Sequence, residues 1–119
     1  MTIQPSYQSL NANDPAQLDA IATLWNEACG PALAISPHAV QYNLQSVAGG
    51  TVVGQLAYHN DQPIGFILAS TLNEPRVMPL EVGWIDALIV APTFQRQGIG
   101  SALLAWAETW LRGQGCQKV

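Results

Sequence analysis

Residues 84–112, WIDALIVAPTFQRQGIGSALLAWAETWLR, decide the fold of this chain. In 85–90, β-branched and apolar residues dominate, as a buried strand requires. Pro92 cannot donate to a ladder and stops the strand. A seven-residue loop, 91–97, then reaches Gly98 and Gly100. From Ile99 the spacing turns helical. Ile99, Leu103, Trp106 and Trp110 form one apolar stripe, with Ser101, Glu108, Thr109 and Arg112 towards the other side.

A strand that runs through a loop into a glycine-rich helix start has a physical use. The first helical N–H groups lack intrahelical partners, and the helix dipole adds positive potential there. Glycines let an anion approach that backbone closely. The stretch therefore suits a phosphate cradle, with Arg96 as the nearby full positive charge. An ordinary helix start that needs glycines for turning explains the same residues.

Two phosphate loops do not fit. A dinucleotide fingerprint needs G-x-G-x-x-G directly after a strand, with an acidic residue about 20 positions on. Here Leu103 stands at the third glycine position and the loop is long. A P-loop needs Gly-Lys-Ser/Thr; Gly49 and Gly54 have the spacing, but Gln55 replaces the lysine.

A third pattern fits. Gln95-Arg96-Gln97-Gly98-Ile99-Gly100 matches Q/R-x-x-G-x-G/A between the strand end Leu88-Ile89-Val90 and the helical Leu103-Leu104. This resembles the acetyl-CoA site of the GNAT acyltransferase superfamily. The resemblance is strong over 82–112, weaker over 50–81 and topological over 1–49.

The resemblance implies acetyl-CoA as co-substrate. The backbone of Leu88, Ile89 and Val90 would bond the pantetheine arm in a gap beside a bulged central strand. The N–H groups of Arg96, Gln97, Gly98, Ile99, Gly100 and Ser101, behind Gln95, would hold the pyrophosphate. An N–H near Ile89 would polarise the thioester carbonyl. A primary amine of a small molecule or peptide would attack directly, without a covalent enzyme intermediate. That amine must be neutral, so a general base is needed. Asp86 is the first candidate, an acid in an apolar strand whose burial would raise its pKa; Glu81 at the strand start is second. A structural role for Asp86 and a solvated one for Glu81 account for the same positions.

Elsewhere the chain reads as one domain, 1–119, with the order β-α-α-β-β-β-α-β, an α/β mixed sheet. A strand at 3–10 carries Pro5, which suggests an edge. Asp14 and Pro15 open a helix whose buried side is Leu18, Ile21, Leu24, Trp25 and Ala28, and Gly30-Pro31 ends it. Ser36-Pro37 starts a shorter helix to about Val47. In the GNAT-like arrangement these helices border the acceptor, so Trp25, His38 and Tyr42 either line it or simply pack or sit on the surface. A hairpin follows, 51–58 and 63–71, turning at Asn60-Asp61. Leu80 opens the long strand, and 117–119 begins another.

Composition excludes several classes. Apolar residues make up 49% and charged ones 10% of the 119 residues, which describes a globular chain. The net charge of −4, with only four basic residues, argues against nucleic-acid binding. No apolar run reaches the roughly 18 residues of a membrane span, and no charged-then-apolar leader opens the chain, so a cytoplasmic setting is expected. Cys29 and Cys116 make neither a disulfide framework nor a zinc site, and no metal is expected.

GNAT domains normally continue with a further helix and strands, often including a tyrosine that protonates the leaving thiolate. This sequence stops at Val119, so no residue takes the general-acid role. Apolar surface on Trp106 and Trp110 would remain partly exposed, so a homo-oligomer, such as a dimer, or a completing chain is expected. Three functions stay open: an N-acetyltransferase, a non-catalytic CoA-binding or interaction module lacking the acceptor half, and a nucleotide-binding domain unrelated to CoA. The acceptor amine has no signature here, and fold does not fix substrate.

Overall fold

A computed structural model of the chain describes residues 4–45, 50–72 and 83–113. The described elements are β1 (Ser6–Ser9), α1 (Pro15–Cys29), α2 (Pro37–Gln45), β2 (Gly50–His59), β3 (Gln62–Leu72), β4 (Gly83–Val90) and α3 (Ile99–Gly113). This is the expected succession as far as α3. The last expected strand, the start of the long strand at Leu80, Glu81 and Cys116 lie outside the described residues.

Local chemistry sets the boundaries. The Asp14 carboxylate accepts the Ala16 N–H at 3.0 Å and caps α1, with Pro15 in its first turn. The Ser36 hydroxyl accepts the Ala39 N–H at 3.1 Å at the start of α2. Asn60 and Asp61 both take positive φ, 49° and 64°, and join β2 to β3 in a two-residue turn. Gln17, 4% exposed, accepts the Asn11 N–H at 2.7 Å and donates to the Ser9 carbonyl at 3.1 Å, tying β1 to α1.

The strands form one antiparallel sheet in the order β1-β2-β3-β4. One face packs on α3 through Ile64, Ile67, Ile99, Leu103, Ala107 and Leu111. The other packs on α1 and α2 through Leu18, Ile21, Leu24, Val40, Leu56 and Phe66. Each such aliphatic or aromatic side chain contributes about 1.5–3 kcal/mol on burial.

Three expectations change. The buried stripe of α3 is Ile99, Leu103, Ala107 and Leu111, while Trp106 and Trp110 flank it half-buried. The reason is the close approach of β4: Leu111 packs directly on Gly83, where even a Cβ would meet Leu111 Cδ2 at 2.5 Å, so this face has no room for an indole. Ala28 of α1 is exposed rather than buried. β4 is half-buried rather than fully buried, with Trp84 40% and Leu88 38% exposed. Among the described residues it pairs only with β3, so its outer side and alternate side chains reach the surface.

β4 also contains a bulge. Leu68 pairs with Ala87 and the next residue, Ala69, pairs with Ile85, so Asp86 is the extra residue. Before the bulge Ile85 packs on the α3 face; after it Ala87 and Ile89 pack on the α1 and α2 face. The bulge therefore exchanges the two faces of the strand at Asp86.

Candidate functional site

The exchange of faces places β4 between two clefts. The first, ≈ 340 Å³, is bordered by Leu88, Val90, Phe94, Gln95, Arg96, Gly98, Gly100 and Ser101. The second, ≈ 220 Å³, lies on the opposite face, where Asp86 and Ala87 meet Trp25 of α1, Leu44 of α2 and Phe66 of β3. Consecutive residues Ala87 and Leu88 thus border different clefts.

The first cleft is a helix start in an unusual backbone. The loop is tied to the sheet at both strands: Ala91 N–H donates to the Ile64 carbonyl of β3 at 2.8 Å, and Gln95 Nε2 donates to the Val90 carbonyl of β4 at 3.1 Å. Phe94 stands against the His59 ring, with centroids 5.7 Å apart. Arg96 and Gly98 then take positive φ, 66° and 82°. For Arg96 that conformation costs on the order of 1 kcal/mol. The first bond into α3 runs from Ala102 N–H to the Gly98 carbonyl at 3.0 Å. The N–H groups of 96–101 donate to no acceptor among the described residues. A Cβ at Gly98 would meet nothing within 4 Å, and one at Gly100 only Val90 Cγ2 at 3.6 Å. The outcome is an open row of unpaired donors at the positive end of a helix dipole, suited to a phosphate or pyrophosphate.

Of the residues anticipated for this cleft, Leu88, Val90, Gln95, Arg96, Gly98, Gly100 and Ser101 border it. Ile89 turns to the other face, and Ile99, the first residue of α3, is buried against the sheet at 2% exposure. Gln97 does not line it, and its Oε1 is buried without a partner among the described residues. These three can reach a ligand only through their backbone.

In the second cleft Asp86 is exposed, not buried as its apolar neighbours suggest. The bulge carries it out of the ladder. The burial argument for a base at this position therefore fails, while its place on the cleft wall remains. Trp25 lines the same cleft, whereas His38 and Tyr42 lie on the surface. Sequence spacing pointed to none of Ile35, Val40, Asn43 or Leu44 here. They come from a loop and a helix brought over the sheet by two anchors. Asn26 exchanges hydrogen bonds with the Ile35 backbone, at 3.0 and 2.7 Å, and Trp25 Nε1 donates to the Leu33 carbonyl at 2.9 Å. Asn26 and Trp25 at the end of a helix, just before Gly30-Pro31, were the available signal.

Among the described residues no cluster of three or more His, Cys, Asp or Glu side chains offers a metal site, and no helix is long and apolar enough to cross a membrane.

The profile of the Acetyltransferase (GNAT) family matches residues 18–119, and the chain belongs to that family. The fold is similar to that of a tandem GNAT protein from the clavulanic acid biosynthesis pathway, with a TM-score of 0.80 and 21% identity over 94% of this chain and 34% of that one. It is similar to an aminoglycoside acetyltransferase from an uncultured soil metagenomic sample, in complex with sisomicin, with a TM-score of 0.73 and 19% identity over 97% of this chain and 74% of that one. Aminoglycoside N-acetyltransferase AAC(6')-Iy in complex with CoA gives a TM-score of 0.67 and 18% identity over 97% and 74%. The chain spans about a third of the tandem protein. A comparison with curated protein sequences finds no significant match.

Proposed function

We propose that this chain is an N-acetyltransferase that transfers the acetyl group of acetyl-CoA to a primary amine by direct attack. One observation carries the reading: the N–H groups of 96–101, without an acceptor among the described residues, lie along a cleft bordered by Leu88 and Val90 of β4, and Asp86 of that same strand borders the cleft on the other face. The family and the CoA complex of a similar structure support the choice of co-substrate.

In this reading the N–H groups of Arg96 to Ser101 hold the pyrophosphate, and the Arg96 guanidinium adds charge. The backbone of Leu88, Ile89 and Val90 bonds the pantetheine arm. A backbone N–H near Ile89 polarises the thioester carbonyl. Asp86 takes a proton from the ammonium, directly or through water, so that the neutral amine attacks the carbonyl carbon. The C–S bond then breaks, CoA leaves as its thiolate, and the proton shed by the new amide nitrogen passes through water to that thiolate. Glu81, outside the described residues, is the second candidate base. The acceptor is a small-molecule or peptide amine; similar structures bear the names of aminoglycoside acetyltransferases. A cytoplasmic setting belongs to the reading, on the sequence alone. So does association with a second copy or a completing chain across the exposed hollow of Ala105, Trp106, Thr109 and Trp110.

Thiol release from acetyl-CoA with a panel of amines tests the proposal. Turnover that Asp86→Ala abolishes supports it. Acetyl-CoA binding with no turnover on any amine would instead make the chain a CoA-binding module.

A further inference from the structure

The acceptor side of the molecule is chemically one-sided. Its walls are Ile21 and Trp25 of α1, Ile35, Val40 and Leu44 around α2, and Phe66 and Leu68 of β3; the remaining positions are Ala87, Asn43 and Asp86. The one side-chain donor of Trp25, its indole N–H, is already bound to the Leu33 carbonyl. It therefore meets the cleft as an apolar ring. The Asn26 bonds to Ile35 hold the facing wall in place, so the cavity is built before any ligand arrives.

From this lining we infer that the acceptor is a monoamine with a compact apolar body, arylalkyl or branched alkyl, and not a polyhydroxylated polycation; the inference rests on the acetyltransferase reading and narrows it. Among the described residues of the lining, one carboxylate, Asp86, is placed to pair one ammonium, and Asn43 is the other polar side chain besides the Trp25 indole. Each further ammonium or hydroxyl of a polycation that enters would lose its water and find an apolar surface at the described residues of these walls. The cavity, ≈ 220 Å³, is also smaller than the roughly 300–1,000 Å³ of pockets for drug-sized ligands. An apolar body of a few carbons fills it, and the amine then lies on the Asp86 side, beside the residue whose neighbour Leu88 borders the cofactor cleft.

The test is calorimetric titration of the full chain with 2-phenylethylamine and isopentylamine, with sisomicin and spermidine as comparators, each with and without saturating CoA. Thiol release from acetyl-CoA is measured in parallel. The two monoamines should bind at least about tenfold more tightly than the polycations. Leu44→Asn, in the wall, should weaken them about tenfold. Asp86→Asn, at an exposed position and with its folding checked by circular dichroism, should do the same. Equal or tighter binding of sisomicin or spermidine would overturn the inference, as would no monoamine binding under either condition. Monoamine binding without thiol release would uphold it and remove the acetyltransferase reading; thiol release with sisomicin alone would do the reverse.

Discussion

Ile85 and Ala87 are separated by one residue, yet they pack on opposite faces of the sheet. Side chains two apart on a regular strand share a face. The difference is the bulge at Asp86, which sends Ile85 to α3 and Ala87 to the cleft beneath α1 and α2. Deleting Asp86 should leave Ile85 opposite Ala69 and Ala87 opposite Leu68 in a regular ladder, so both keep their faces and the fold persists while the kink in β4 and the carboxylate are lost. Asp86→Ala should keep the fold and acetyl-CoA binding while turnover falls by about 10²–10⁴-fold. Denaturant midpoints and thiol release separate the two effects.

Gly98 and Gly100 are two residues apart and should respond differently to alanine. Gly98 has a φ of 82°, so Gly98→Ala should destabilise by about 1 kcal/mol. Gly100 lies in the helix with only Val90 near its missing Cβ. Gly100→Ala should leave stability unchanged or raise it by up to about 1 kcal/mol, yet weaken acetyl-CoA binding, because the added methyl stands in the cofactor cleft. Thermal melts with and without acetyl-CoA would show both.

The contact of Gly83 with Leu111 predicts an overpacked variant. Gly83→Ala should cost about 1–3 kcal/mol. Leu111→Ala alone should cost about 2–5 kcal/mol by opening a cavity. Together they should cost less than their sum, and a double-mutant cycle by chemical denaturation measures the coupling. Additivity would mean that strand and helix do not meet there.

Tyr58 supplies a pH dependence. Burial, with a smaller contribution from the nearby Asp14 charge, raises its phenol above the ordinary 10.0. The folded state thus favours the neutral phenol. The stability from this group is complete below 10.0 and is lost as pH rises through the higher folded value. Tyr58→Phe should remove that part of the alkaline decline, seen as a flatter denaturant midpoint across pH 10.

Much of this architecture is visible in residue types. Asp14-Pro15, Ser36-Pro37 and Asn60-Asp61 carry their own capping and turn chemistry, and Gly98-Ile99-Gly100 carries the helix start. The resemblance implies a bulged central strand, but the residues do not place the bulge at Asp86, because an acid within an apolar run reads equally as a buried group or an inserted one. The stripe of α3 misleads through size: Trp106 and Trp110 are large and apolar, but close approach to the sheet selects Ala107 and Leu111. The acceptor cleft draws on α1, α2, β3 and β4, and no local spacing records that they meet.

The most direct test of the central claim is calorimetric titration of the purified chain with acetyl-CoA, using ATP as control. The account predicts binding of acetyl-CoA but not of ATP, weakened at least tenfold by Gly98→Glu or Arg96→Glu, each of which brings a like charge to the anion cradle. Binding of ATP in preference to acetyl-CoA, or acetyl-CoA binding indifferent to both substitutions, would contradict it.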